Sequence, residues 1–512
     1  ARRAGVVAVG TLASRLLGLL RDQVIAAIFT RATTDAFFVA FTIPNVLRQI
    51  LAEGATQNAV LPVLTEVREK QGDVAARSFF RALRGLSLLV LLVVSALGVA
   101  FAPALVALFA GGYATIEGQL ERTVTLTRWV FPYIFFMGTA ALGAAVLNAH
   151  KRFAVAAFAP GLLNVAFVAL ALFLPAWLGA RGYELGLALV FGALVGGVLQ
   201  VVVQWPSLRT LGYFERPSLE LGHPAVREVL RRMGPTLVGI GVYAIDVVLA
   251  RRFLSELGLG AQSYFNWAAR LCDFPQGIFV MALSTAALPS LSLLAARGDR
   301  DELGKTFAFG MRFSLFVAIP ATALFAGLAE PLVVLLFQRG EFDALAARET
   351  ARSLVAQGLG IALVAAVRQL VAVYYALGDT RTPVVVAATD LCAFIALALV
   401  LRGPFGHVGV AWAVTGASAV QALMLWFFLG RKVPIRGHGL FGSVLRALVA
   451  SVGAVAAGRG AALFLAGRTD PLGRALPGLG GALVFGVVYL ALAAAFGSPE
   501  LASLAARLRR SR

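Results

Sequence analysis

The chain has 512 residues, 59% hydrophobic and only 14% charged, and its 45 basic side chains outnumber its 26 acidic ones to give +19 at neutral pH. A soluble protein carries about 25% charged residues, so this composition excludes a soluble enzyme and leaves no soluble basic domain for nucleic acid. Apolar runs of roughly 18 or more residues recur along the whole length, which marks an all-α polytopic membrane protein and not a β-barrel.

The first apolar run is too long for a cleavable signal peptide and lacks a small-residue cleavage site, so it is expected to stay as a helix. That helix, over 5–30, carries Ser14-Arg15-x-x-Gly18-x-x-Arg21-Asp22. The next, over 35–65, carries Asp35, then Ile43-Pro44-Asn45-x-x-Arg48, then Ala52-Glu53-Gly54. At about 1.5 Å per residue Arg15 lies roughly 15 Å deep, and an arginine at a helix centre costs roughly 2.5–3.5 kcal/mol against lipid. Several such charges must face a watery cavity or pair with carboxylates. Guanidinium groups suit phosphate oxygens, because they bind bidentately and keep their charge. On a straight helix Arg21 points about 120° away from Arg15. Both reach one cavity if the helix bends near Gly18 or if Arg21 reaches around. Pro44 removes one backbone hydrogen bond and is expected to kink its helix near Asn45. Residues 52–54 look like a second flexible point; a static kink is the alternative.

Twelve further helices are expected over 79–110, 122–149, 153–177, 183–208, 225–253, 260–291, 303–330, 344–377, 382–402, 406–430, 440–466 and 474–497, fourteen in all. The eighth holds Arg270, about ten residues in, with Asp273 three positions on as a possible partner. Asp246 in the seventh and Asp390 in the eleventh are intramembrane acids that either bind a coupling cation, Na⁺ or H⁺, or pair with Arg251 and Arg381 near the helix ends. Arg128 and Arg368 either line the cavity or snorkel. Cys272 and Cys392 fall in apolar runs and suit core packing. The four histidines lie in or near connections without ligand spacing, so no metal site is expected.

The chain repeats itself. Ala59-Val-Leu-Pro62 resembles Ala286-Ala-Leu-Pro289, Phe79–Arg84 resembles Phe307–Arg312, and Pro103–Phe109 resembles Pro331–Phe337, with an offset near 228 residues. Six helices fit in that distance, so the two copies share one orientation: two parallel six-helix lobes with the cargo between them. The expected divisions are 1–208, 209–432 and 433–512, the last holding helices 13 and 14 and a basic tail that forms an amphipathic helix after Pro499. Lysine and arginine crowd the even-numbered turns and both termini. The positive-inside rule then puts both termini in the cytoplasm, with Gly72 inside and Gly112 outside.

With these residues in hand, the chain resembles the lipid II flippases, the MurJ (MviN) family of the MOP exporter superfamily. The resemblance runs over essentially the whole chain. It is most specific in Ser14–Asp22, Thr34-Asp-Ala-Phe-Phe-Val-Ala-Phe41, Ile43-Pro-Asn45, Ala52-Glu-Gly54, Arg270 ahead of Phe274-Pro275, and Phe337-Gln-Arg-Gly-Glu-Phe342. It implies two six-helix lobes, a lipid-tail groove on the last two helices, and alternating access around a cationic cavity. It gives Arg15, Arg21, Arg48 and Arg270 the substrate-binding positions, and it gives Gly18, Asp22, Asp35, Pro44, Asn45 and Glu53 cavity or gate positions. Two departures touch the gate: Gln49 stands where a second arginine is common, and the turn Phe29–Thr34 is short and lacks glycine. The implied activity is transport of lipid II, undecaprenyl pyrophosphate carrying the peptidoglycan disaccharide-peptide, across the bacterial inner membrane; a monomer without cofactor, apart from a coupling Na⁺ or H⁺, is the expectation set beside it. The rivals are a MATE-type cation-coupled exporter, whose cationic cargo four arginines would repel, and a non-transporting scaffold for cell-envelope enzymes.

Overall fold

The computed structural model describes residues 2–49, 59–220, 222–277, 281–434, 438–467 and 470–503; these are helical, and no strand occurs among them. Ten of the described helices are long and apolar enough to cross a membrane. The helices bearing Arg15, Arg21, Arg48 and Arg270 are not among these ten. The chain divides into two compact units, residues 1–262 and 263–512.

In the first unit, α1 (Arg2–Ile28) packs along α7 (Phe153–Gly179), and α2 (Arg31–Arg48) packs against α5 (Gln119–Val130). The turn expected at 66–78 is instead helical: α3 (Leu61–Ala100) runs through it and breaks only at Gly72, whose φ of +86° favours glycine. The charged stretch is helical because it is amphipathic. Val67 and Ala76 are buried in the cluster around Phe79 and Phe80, while Lys70 reaches Glu66 one turn back at 2.7 Å. The helix expected over 79–110 ends at Ala100, and α4 (Ala102–Ala110) restarts with Pro103 in its first turn. Pro103 offers no backbone N–H and its ring crowds the preceding turn, which favours a break there. The helix expected over 122–149 likewise parts at Phe131-Pro132 into α5 and α6 (Tyr133–Ala149). α8 (Leu187–Thr210) and α9 (Pro224–Ser255) complete this unit.

The second unit begins within α10 (Ala261–Pro275). It continues through α11 (Met281–Ala296), α12 (Arg300–Phe337), α13 (Ala344–Ala376), α14 (Arg381–Phe405), α15 (His407–Leu429), α16 (Leu440–Phe464) and α17 (Pro471–Ala495). The single helix expected over 260–291 is therefore described as α10 and α11. Cys272 is buried as expected, whereas Cys392 is exposed on α14, a helix that turns much of its surface outward.

Local conformation echoes the repeat. Gly72 and Gly298 both break a helix with positive φ, Phe101 and Leu328 are both non-helical just ahead of a proline, and Lys151 and Gly378 both take left-handed φ after a helix end. Each pair is 226 or 227 residues apart. Close to its end, the second unit carries a buried carboxylate. Glu500, 3% exposed, accepts Oγ–H bonds from Ser443 and Ser498, each at 2.9 Å, and lies 3.6 Å from Nε of Arg312 on α12. Arg312 Nη1 also donates to the carbonyl of His438 at 2.9 Å, so one ion pair ties α12, the start of α16 and the segment after α17.

Candidate functional site

Arg21 has a built seat. Asn164 is the one amide side chain in the apolar run of α7, and it faces α1: its Nδ2 donates to the Ser14 carbonyl at 3.0 Å, and its Oδ1 accepts from Arg21 Nη1 at 3.1 Å. Arg21 Nε and Nη2 both donate to Asp22 Oδ1, at 2.8 and 2.6 Å. The guanidinium lies 5.4 Å from the centroid of Phe167, a cation–π distance. Sequence neighbours on a helix do not normally face each other. The long Arg21 side chain instead wraps toward α7 and brings Asp22, 4% exposed, with it. α1 keeps its helical assignment through Gly18, where a Cβ would meet Asn164 Nδ2 at an ordinary 3.7 Å. Arg21 reaches around to α7. Arg15 is half-buried on the same helix.

Phe167 belongs to an aromatic wall. Phe41 of α2 lies 5.5 Å from Phe37, 5.9 Å from Phe167 and 5.2 Å from Tyr133. α2 keeps helical geometry past Pro44, and one turn on Arg48 Nε donates to Asn45 Oδ1 at 3.0 Å. Asp35, fully buried, accepts the backbone N–H of Gly260 at 2.6 Å, tying the first turns of α2 to the turn after α9. Close by, Arg251 Nη1 donates to Gln262 Oε1 at 2.9 Å, and Gln262 returns a bond to the Arg251 carbonyl at 2.6 Å. Glu53 and the expected flexible point at 52–54 lie outside the described residues.

In the second unit, α10 buries Tyr264, Trp267, Ala268, Leu271 and Cys272 and turns Arg270 and Asp273 outward. Their charges approach only to 4.0 Å, with the side chains 43% and 63% exposed, a pairing at the limit of an ion pair. Asp246 is half-buried on α9. Asp390 on α14 has Oδ1 buried with no hydrogen-bond partner among the described residues. No three His, Cys, Asp or Glu side chains gather as a metal site among the described residues.

Sequence reading missed Asn164, Tyr133 and Phe167. Asn164 was detectable as the single amide in an apolar run; the aromatic residues carry no signal that separates them from core. Guanidinium groups set beside aromatic and apolar walls bind anions without covalent chemistry.

The chain is similar to known proteins along most of its length. The family model described as "Lipid II flippase MurJ" matches residues 24–474. A lipid II flippase of Burkholderia cenocepacia is 35% identical over 432 residues, covering 82% of each chain. A probable lipid II flippase of Bdellovibrio bacteriovorus is 33% identical over 500 residues, covering 97% of this chain and 93% of its own. Among solved structures, a lipid II flippase in an inward closed conformation superposes with a TM-score of 0.77 at 22% identity, over 96% of this chain and 98% of that one. An inward-facing MATE family transporter of the MOP superfamily gives 0.66 at 15% identity, over 82% and 94%. Those two likenesses speak for the fold alone. The sequence relatives and the family match speak for the lineage, and by them this chain belongs to the lipid II flippase MurJ family.

Proposed function

We propose that the chain moves lipid II from the inner to the outer leaflet of the bacterial cytoplasmic membrane by alternating access, with no covalent step. The family match over residues 24–474 carries this reading. In it, Arg15, Arg21 and Arg48 of the first unit and Arg270 of the second receive the pyrophosphate, and the apolar tail stays in lipid along the last two helices. Asp22 neutralises Arg21 until the anion arrives, which keeps the empty protein from carrying an unpaired buried charge. The MATE-type reading fits poorly, because cationic cargo would meet arginines. A scaffold role leaves these buried charges without a use. Rescue of a flippase-depleted strain separates the three: the wild-type chain restores growth, and an Arg15→Ala chain that still inserts does not.

The working topology is fourteen spans in a monomer, divided at 208 and 432, with both termini cytoplasmic. Its support is the asymmetry of lysine and arginine. Cysteine labelling beside Gly112 and Gly72 tests it. Gly112 is unsuitable, because its N–H donates to Ser255 Oγ and a Cβ there would lie 2.5 Å from the Ser255 backbone. Ala114 and Val74 are exposed. Ala114→Cys is expected to react with an impermeant maleimide from outside intact cells and Val74→Cys only after lysis; the reverse pattern overturns the map.

We further propose that Na⁺ or H⁺ couples to transport at Asp390, with Asp246 as a second candidate. A buried carboxylate oxygen with no donor is costly and is relieved by a proton or a cation. Asp390→Asn is expected to remove the response of transport to one of the two gradients. An unchanged response to both gradients in that variant and in Asp246→Asn would end the idea.

A further inference from the structure

The second unit holds a pocket that the transport reading does not use. It occupies about 400 Å³ between α12, α13, α16 and α17, and its wall includes Glu330, Arg348, Arg352, Arg459, Leu463 and Pro477. That volume lies within the roughly 300–1,000 Å³ of small-molecule sites. Glu330 lies two turns before the end of α12, Arg348 and Arg352 lie in the first three turns of α13, Arg459 lies near the end of α16, and Pro477 lies in the second turn of α17. Four membrane helices therefore end around it, which sets the pocket at the level of lipid headgroups. The backbone makes room there: α12 is non-helical at Leu328, with φ −125° and ψ 21°, three residues before Pro331. Just before this break Gly327 packs so closely on α16 that a Cβ would lie 2.4 Å from Val455 Cγ1.

The charges define the occupant. Arg352 is neutralised by Glu349 at 3.0 Å. Arg348, Arg459 and Glu330 make no ion pair among the described residues. Three arginines against Glu330 and Glu349 leave a formal +1. That matches the single negative charge of a phosphodiester and falls short of the two or more charges of a pyrophosphate. Beside the pocket α16 turns Leu463 and Phe464 outward, and α17 turns Leu479 outward, as a surface for acyl chains. We infer that this pocket binds the phosphodiester headgroup of an anionic phospholipid from the leaflet at the end of the α12–α13 and α16–α17 connections, as a resident ligand distinct from the transported lipid. Arg348 and Arg459 hold the phosphate, and Glu330 limits the net charge it will accept.

The test is lipid retention by the purified full-length chain. The protein, in micelles doped equally with dioleoylphosphatidylglycerol and dioleoylphosphatidylcholine, is passed through size exclusion, and the lipid carried along is quantified by mass spectrometry. One mole of the anionic lipid per chain is expected, preferred about tenfold or more, as loss of a charged hydrogen bond would predict. Arg348→Gln/Arg459→Gln is expected to bring the two lipids to parity. Glu330→Gln is expected to strengthen retention of the anionic lipid, a gain that misfolding cannot mimic. Equal retention of both lipids by the wild-type chain overturns the proposal, as does an unchanged preference in both variants. Mole-for-mole displacement by undecaprenyl pyrophosphate would also overturn it and assign the pocket to the transported class of lipid.

Discussion

Arg270→Ala is expected to abolish transport while the protein accumulates normally, and Arg21→Ala is expected to lose both. The difference comes from what each arginine does when the site is empty. Arg270 has a side chain that is 43% exposed, and substitutions at such positions usually change stability by about 0.5 kcal/mol or less. Its loss is felt only when an anion is present: two charge-assisted hydrogen bonds at about 1.5 kcal/mol each correspond to a fall of roughly a hundredfold. Arg21 instead joins Asp22, Asn164 and the Phe167 ring in a largely buried seat, and removing one member of such a buried network costs about 3–5 kcal/mol. The double variant Arg21→Ala/Asp22→Asn should recover the protein and not the transport. Arg21→Lys should recover little, since lysine cannot donate to Asp22 and Asn164 at once while lying over Phe167. Immunoblot together with rescue of a flippase-depleted strain reads both axes. Normal transport by Arg270→Ala would remove that residue from the site.

Collapsing the membrane potential at constant pH gradient is expected to cut export about tenfold or more. The cargo of the proposed reaction carries a pyrophosphate and at least one peptide carboxylate, and the cell interior is negative. Two charges crossing the full field are worth roughly 4–5 kcal/mol per 100 mV, outward being downhill. The return of the empty protein has the same sign. In the proposed assignment Arg15, Arg21, Arg48 and Arg270 outnumber Asp22, Asp35 and Glu53 by four to three, so positive charge prevails and is drawn inward. This second contribution is the smaller, because only part of the field acts on a rocking protein. Translocation in cells or proteoliposomes treated with an ionophore measures the sum. Undiminished export would move the driving force to the ion proposed at Asp390.

What could be read from the sequence is what is encoded locally. Apolar runs, prolines and loop charge gave the all-helical membrane class, and most helix boundaries after Phe153 fall within a few residues of expectation. The errors fall where a local signal has two outcomes. The charges at 66–78 suggest a turn, yet Val67 and Ala76 find a buried face and the segment folds as helix around Gly72. Pro103 and Pro132 divide runs that composition alone reads as continuous. In the candidate site, the arginines were visible because charge in an apolar run is rare. Their partners were not: Arg21 meets Asn164 across 143 positions, and Asp35 meets an amide 225 positions away. A backbone N–H leaves no trace in residue type.

The ion pair between Arg312 and Glu500 also bears on how the protein is made. Arg312 enters the membrane early in synthesis of the second unit, but its carboxylate arrives 188 residues later. At roughly 5–20 residues per second, Arg312 waits about 10–40 s for that partner. During this interval α12 can pack on α16 through their apolar faces, but Arg312 lacks the carboxylate that ties both to the segment after α17. This contact is therefore late to form, and an insertase or chaperone has tens of seconds in which to act before it does.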